Sequence, residues 1–373
     1  MRSIPLLSVT LVMTAASMLL SPASAEMNKE QQKKYPRKDQ LPNVNSPMVK
    51  KWVAEIDWSK VPKIPIAKAD IPNCPDCPKD KKTINKDACW WTCDGWVAKD
   101  DIETCPKEKA WGLTYDDGPS EDTPRLLKKL KQANVTSTRI LEYPEILQQQ
   151  VKEGHHIGLH TWSHAGMTSL TNEQIVAEIK WAEQIVFDVT GPKTKYWRPP
   201  YGDVDNRVRE IARQLGYLTV IWTKEWDSND WQIPDKTITN KEIFRNFKWA
   251  LSTVPKLKGG VITLEHDLYQ TVNVALPLLD MGMKKGLEPM DIARCVNDPN
   301  PYQNSLIQDK PAVTKPKEPA SIQPKAPGDD KQGEKEDTIT LSIEGTKKAS
   351  GGRQLAWAAS SLALVAATAI LSL

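Results

Sequence analysis

The chain has 373 residues, with 50 Lys and Arg against 47 Asp and Glu and a formal net charge of +3. So even a balance gives no electrostatic footing for a nucleic-acid partner, and none is expected. Both ends read as processing signals, which confines the folded part to the middle of the chain.

Arg2 supplies a positive start, Leu6 to Leu20 is apolar, and Ser21-Pro22-Ala23-Ser24-Ala25 ends in a small-x-small pattern. This predicts a secretory signal peptide over 1–25. The alternative, an N-terminal membrane anchor, needs roughly 20 apolar residues to span a bilayer, more than are present.

Residues 26–104 carry Pro, Lys and clustered Trp90, Trp91 and Trp96 with little periodicity, and read as a disulfide-stapled segment rather than a second enzyme. The six cysteines lie at 74, 77, 89, 93, 105 and 295. In a secreted chain disulfides are the default, and up to three are possible. Cys74-x2-Cys77 with Cys89-x3-Cys93 has zinc-ligand spacing too, but a zinc site needs reduced thiolates, which an oxidising route disfavours. Cys105 with Cys295 is the favoured pair, because each stands near one end of the middle region and a long-loop crosslink restricts the unfolded chain most. The tryptophans can stack on sugars, but the plainer reading is packing for a disulfide knot.

From Ala110, short apolar runs alternate with amphipathic stretches, the rhythm of a parallel-strand α/β fold over 105–307. Strands are expected at Ala110–Tyr115, Thr219–Trp222 and Gly260–Leu264. Helices are expected at Thr123–Gln132, Ile146–Glu153, Asn172–Val189 opened by Thr171, Val204–Leu215 and Ile243–Leu251. The strands end in polar residues, where α/β folds put chemistry. From 308 to 350 the sequence turns to Lys, Pro, Glu, Asp, Gly and Gln, a composition that cannot bury enough apolar surface to fold and reads as a stalk. Leu355–Leu373 is apolar and follows the small residues Ser350-Gly351-Gly352, which predicts a GPI-attachment propeptide over 351–373 with Ser350 as the attachment point. The Arg353-Gln354 spacer is short, so a plain transmembrane helix is the alternative.

All five histidines fall at 155, 156, 160, 164 and 266. His160-Thr161-Trp162-Ser163-His164 sets two imidazoles at i and i+4, so a helical turn or tight loop can aim both at one ion. At Thr114-Tyr115-Asp116-Asp117-Gly118-Pro119 two carboxylates follow an apolar strand. Neighbours on an extended strand point opposite ways, but at a strand end that bends, one Asp can bind a metal while the other faces a bound water.

Five runs in order carry a resemblance: Thr-Tyr-Asp-Asp-Gly-Pro, His160-Thr-x-x-His164, Arg198-Pro199-Pro200-Tyr201, Asp227-Ser228-Asn229-Asp230-Trp231 and Leu264-Glu265-His266. Together they resemble the motifs of the NodB-type polysaccharide deacetylases over about Trp111 to Leu278. The Tyr196–Asp203 run and the Cys295–Tyr302 ending look most like the GPI-anchored fungal chitin deacetylases. The resemblance implies a distorted (β/α) barrel and hydrolysis of N-acetyl groups of chitin or chitin oligomers in cell-wall polysaccharide. It implies one divalent ion, Zn2+ or Co2+, held by Asp117, His160 and His164. It makes Asp116 the general base, steadied by Arg198, and His266 the general acid, supported by Asp230, with Asp227 a contender for that last role. The Tyr201 backbone N–H would meet the oxyanion, and Trp231 and Leu264 would wall the acetyl pocket. Two other readings are a deacetylase of another acetylated glycan and a wall-binding protein without turnover.

The family has a longer apolar strand with paired aromatics and a Gly between Asn134 and Pro144, so a core strand is expected to be missing here, near 138–139. The same stretch holds Asn134-Val135-Thr136, an N-glycosylation acceptor expected at the surface.

Overall fold

The computed structural model describes residues 29–79, 87–130, 134–137 and 140–303. The expected signal peptide 1–25, the stalk 308–350, Ser350 and the tail 351–373 lie outside the described residues. The helices are α1 Lys29–Gln32, α2 Pro47–Val53, α3 Trp91–Asp94, α4 Thr123–Leu127, α5 Pro144–Glu153, α6 Asn172–Thr190, α7 Asn206–Gln214, α8 Asn240–Thr253, α9 Val272–Lys284 and α10 Ile292–Cys295. The strands are β1 Ala110–Gly112, β2 Thr114–Gly118, β3 Asn134–Ser137, β4 His156–Leu159, β5 Tyr196–Trp197, β6 Leu218–Thr219, β7 Val261–Ile262, β8 Glu265–His266 and β9 Glu288–Met290.

Every strand pair is parallel, in sheets ordered β7-β1-β9 and β6-β5-β4-β3-β2-β8. The runs 110–118 and 261–266 each cross from the small sheet to the large one. The ring closes through the segment after β6, where Val220 N–H donates to the Trp197 carbonyl and Thr223 N–H to the Ile262 carbonyl. This is the distorted α/β barrel that the resemblance implies. The expected strand at Ala110–Tyr115 therefore divides at Leu113, whose N–H turns to the Met290 carbonyl of β9.

The helices that were legible have local signals at their starts. Thr171 and Thr239 each form a capping box, with Gln174 and Glu242, satisfying donors that a helix N-terminus otherwise leaves open. Asp205 caps α7 through Val208 N–H. α9 was missed because Pro277 interrupts its pattern. Gly282 lets that helix close on β1, since a Cβ there would stand 2.2 Å from the Trp111 ring.

Residues before 105 are built into the barrel's exterior. Val49, Trp52, Ile56 and Val61 share one buried cluster with Ile175, Ile179 and Ile185 of α6. Trp52 meets Trp181 edge to face at 5.3 Å between ring centroids. The helix α2 that carries Trp52 has its own start signal, Ser46 followed by Pro47 at the first turn.

Two expectations change. The strand thought missing is present as β3, four residues paired between β2 and β4; residues 138 and 139 lie outside the described ones. Asn134, the expected glycosylation acceptor, is the first residue of that strand. Of three possible disulfides two form, Cys77–Cys93 and the expected Cys105–Cys295, while Cys74 and Cys89 are thiols. Such bridges mark a chain matured in an oxidising compartment.

The Cys105–Cys295 bridge closes a loop of sequence separation 190 and ties the entry of β1 to α10. Replacing both cysteines by Ala should lower the unfolding free energy by about 2–5 kcal/mol, read as an earlier midpoint in denaturant. A midpoint unchanged from the parent would show that barrel packing alone restrains this join.

Candidate active site

Asp116 and Asp117 close β2, where a regular strand would send them to opposite faces. Two local features prevent that. The register against β3 shifts between Tyr115 and Gly118, and Asp117 adopts a left-handed φ of 69°. A bulge of this kind re-aims side chains, and both carboxylates line one cavity of about 230 Å3. The cavity is also lined by His160, His164, Pro199, Tyr201, Trp222, Asp227, Trp231, Leu264 and His266.

Asp116 is buried together with Arg198. One guanidinium nitrogen, Nη1, lies 3.1 and 3.2 Å from the two Asp116 oxygens and donates to Thr114 Oγ1 at 2.6 Å. The same residue acts through its backbone. His160 Nδ1–H donates to the Arg198 carbonyl at 2.8 Å, which leaves Nε2 with its lone pair facing Asp117.

His160 follows β4 and His164 sits in the loop beyond it, with Thr161 and His164 at φ of 66° and 58°. The two imidazoles therefore converge from a tight loop rather than a helical turn. Their Nε2 atoms lie 3.5 and 3.3 Å from Asp117 Oδ1. Two imidazole nitrogens and a carboxylate oxygen suit a divalent metal, and ligands of a tetrahedral zinc with bonds near 2.0–2.1 Å stand about 3.3 Å apart. The spacing fits. Desolvation in the cleft holds the His164 imidazole below its usual pKa, which favours the neutral, ligating form.

His266 enters from β8, the other neighbour of β2. Its Nδ1 lies 2.7 Å from Asp230 Oδ1, its backbone N–H donates to Asp230 Oδ2 at 2.9 Å, and its Nε2 lies 3.9 Å from Asp117. Burial opposes the charged imidazole, but Asp230, followed by Asp117 and Asp116, outweighs it and pushes the His266 pKa up to about 10. Asp227 does not take this place. Its Oδ1 accepts from the Asn229 N–H at 2.8 Å, and burial pushes its carboxyl up to about 6.

Tyr201 lies in a 3-10 turn over Pro200–Gly202 with a left-handed φ of 59°, its ring 4.7 Å from that of His164. Trp231, half exposed, and Leu264, buried, stand on the cavity wall together with Trp222. Of the histidines, His155 and His156 are buried outside this cavity, the latter edge-on to Tyr196 and Tyr302.

Asp203 is a supporting residue that its local sequence does not signal. Its carboxylate accepts from Trp90 Nε1 at 2.7 Å and from Thr168 N–H at 2.9 Å, which joins the early Trp-rich segment, the loop after His164 and the Tyr201 turn. Trp91 packs on Trp222 at 4.4 Å, and a Cβ on Gly202 would meet its ring at 2.5 Å. Trp90 and Trp91 are packing residues, as the plainer reading had it, but they pack on the cavity's own loops. No local pattern around Asp203 marks it, because its partners are remote in sequence.

The family profile described as polysaccharide deacetylase matches residues 103–220. Chitin deacetylase 1 of Cryptococcus neoformans var. grubii is 44% identical over 251 residues, covering 63% of this chain and 52% of that protein. Chitin deacetylase 1 of Saccharomyces cerevisiae is 36% identical over 267 residues, covering 69% of this chain and 80% of that protein. The chain thus spans about half the length of the first relative and four fifths of the second. The chitin deacetylase structure from Colletotrichum lindemuthianum superposes with a TM-score of 0.49 at 24% identity, covering 54% of this chain and 95% of that one.

Because its folded-state pKa is raised, His266 contributes stability that is full below the unfolded value of 6.5 and is lost as pH rises towards about 10. Asp230→Asn should lower the His266 titration, followed by 15N NMR of the imidazole, by about 1–3 pH units. Its stability deficit against the parent should shrink over the same pH window. An unmoved titration would show that Asp230 orients the ring without stabilising its charge.

Proposed function

The chain belongs to the polysaccharide deacetylase family, and on that footing we propose that it hydrolyses the N-acetyl groups of chitin to give chitosan and acetate. The observation that carries this reading is one cavity holding a metal-type triad, Asp117, His160 and His164, flanked by a carboxylate and an imidazole with different supports. The divalent ion would be Zn2+ or Co2+, both of which accept two imidazoles and a carboxylate. When bound, it supplies Lewis acidity to a carbonyl and to water.

The chain's own groups divide the proton work. Asp116, fixed by Arg198, which Thr114 Oγ1 helps to hold, takes the proton from water as the water oxygen bonds to the acetamide carbon. An amide nitrogen leaves badly unless protonated, so a second group must act as acid. His266, held charged by Asp230, gives its proton to the sugar nitrogen as the C–N bond breaks, leaving acetate and the free amine. The Tyr201 N–H, placed by its left-handed turn, donates to the carbonyl oxygen as negative charge grows there, a contribution of about 3 kcal/mol for one such donor. Trp231, Trp222 and Leu264 enclose the methyl group.

The purified ectodomain should release acetate from chitin oligomers and lose that activity to a chelator; His160→Ala and Asp117→Ala should lose bound metal and activity together. Substrates then separate acid from base. Asp116→Asn should lose turnover of every substrate, whereas His266→Ala should lose roughly 100- to 10,000-fold on the amide and far less on an aryl acetate, whose phenolate leaves unaided. Equal losses on both substrates would remove His266 from the acid role, and activity on acetylated xylan but not chitin would reassign the glycan.

The small residues Ser350-Gly351-Gly352 ahead of an apolar run support anchorage of the mature protein at the cell surface through GPI, close to cell-wall polysaccharide. Phosphatidylinositol-specific phospholipase should release it from membranes. Resistance, with a peptide from 360–373 still detectable, would favour a transmembrane helix.

A further inference from the structure

We propose that Glu178, on the core-facing side of α6, is the positioning residue that holds the His160–His164 loop in its ligating shape. The inference rests on the metal reading of Asp117, His160 and His164.

The loop has an intrinsic problem. Thr161 and His164 both sit at left-handed φ, 66° and 58°, a region that clashes for residues with a Cβ and is rarest for β-branched ones such as Thr. Left to its own preferences the loop would not present both Nε2 atoms to Asp117. Between the two strained residues, Trp162 and Ser163 turn their N–H groups inward, away from solvent and from any strand partner.

Glu178 answers both N–H groups with one oxygen. Its Oε2 accepts from Trp162 N–H at 2.9 Å and Ser163 N–H at 2.8 Å, and its Oε1 accepts from Ser163 Oγ at 2.7 Å. Glu178 is 0% exposed, on a helix whose Ile175, Ile179 and Ala182 are buried too. A carboxylate on the buried stripe of a helix costs stability unless its hydrogen bonds are met, and here they are met by the ligand loop. α6 is itself fixed by its capping box and by Trp52 against Trp181. Trp162 is pinned on its other side, where its Nε1–H donates to the Arg37 carbonyl.

The proton-transfer groups are held from outside α6, although the Arg198 carbonyl also holds His160. Asp116 hangs on Arg198, and His266 on Asp230. Loss of Glu178 should therefore loosen the metal site and leave the His266–Asp230 pair in place.

The test is zinc affinity by chelator competition in the folded full ectodomain. Glu178→Ala should weaken zinc binding about 10- to 100-fold, the usual scale for a group that orients ligands. Glu178→Gln should restore near-parental affinity, because its one carbonyl oxygen can take both N–H bonds while its amide faces Ser163 Oγ. Should Glu178→Ala fail to fold, Glu178→Asp, too short to reach both N–H groups, is expected to show the same loss of affinity. Parental affinity in Glu178→Ala, or in Glu178→Asp where that replaces it, would overturn the proposal, as would a Gln variant no better than Ala. Failure of the metal reading itself would look different: the parent protein would bind no zinc.

Discussion

Arg198 is the residue on which the geometry of the cavity depends. Its guanidinium holds Asp116, and its carbonyl holds Nδ1 of His160. A buried ion pair is costly to form, and removing one partner leaves an uncompensated charge in the interior. That cost is accepted where position matters more than stability. Because the same residue fixes the carboxylate and the first imidazole, the distance between the proposed base and the proposed metal is set within a single residue at the end of β5.

Around that point the barrel delivers its other groups on neighbouring strands. β2 carries the two aspartates, β4 leads into the two histidines, and β8 brings His266 against Asp117. Parallel strands end at one face, so groups far apart in sequence arrive together there. Strand geometry alone is not enough. The bulge and positive φ at Asp117, and the left-handed residues Thr161, His164 and Tyr201, are local departures that turn side chains or an N–H into the cavity. Unfavourable backbone conformations persist where surrounding contacts over-determine them.

The early Trp-rich segment is one such set of contacts. Through Trp90 and Asp203, and through Trp91 against Trp222, it braces the Tyr201 turn from behind. The Cys77–Cys93 bridge ties that brace within its own segment. Residues that read in sequence as a disulfide-stapled segment thus act as a back wall for the cavity, and Trp52 braces α6.

What the sequence determined by itself was chemistry and order. The aspartate pair, the two histidines four apart, Arg198, Asp230 and His266 stand in five short runs that resemble one family, and the capped helices α6 and α7 are written in Thr171 and in the alternation of their apolar residues. Local signals of this kind survive in any single sequence because they depend on neighbours a few residues away. Tertiary structure decided the rest. It chose Asp230 over Asp227 as the partner of His266, since both are near in sequence and only the closure of β8 against the Asp230 turn separates them. It made a central strand of 134–137, a segment too short and polar to announce itself, because β2 and β4 both pair with it. It also gave buried Glu178 and Asp203 their partners, 15 or more residues away in sequence. A polar residue in a helix stripe or a turn looks like an exception until the fold brings in the N–H groups that it serves.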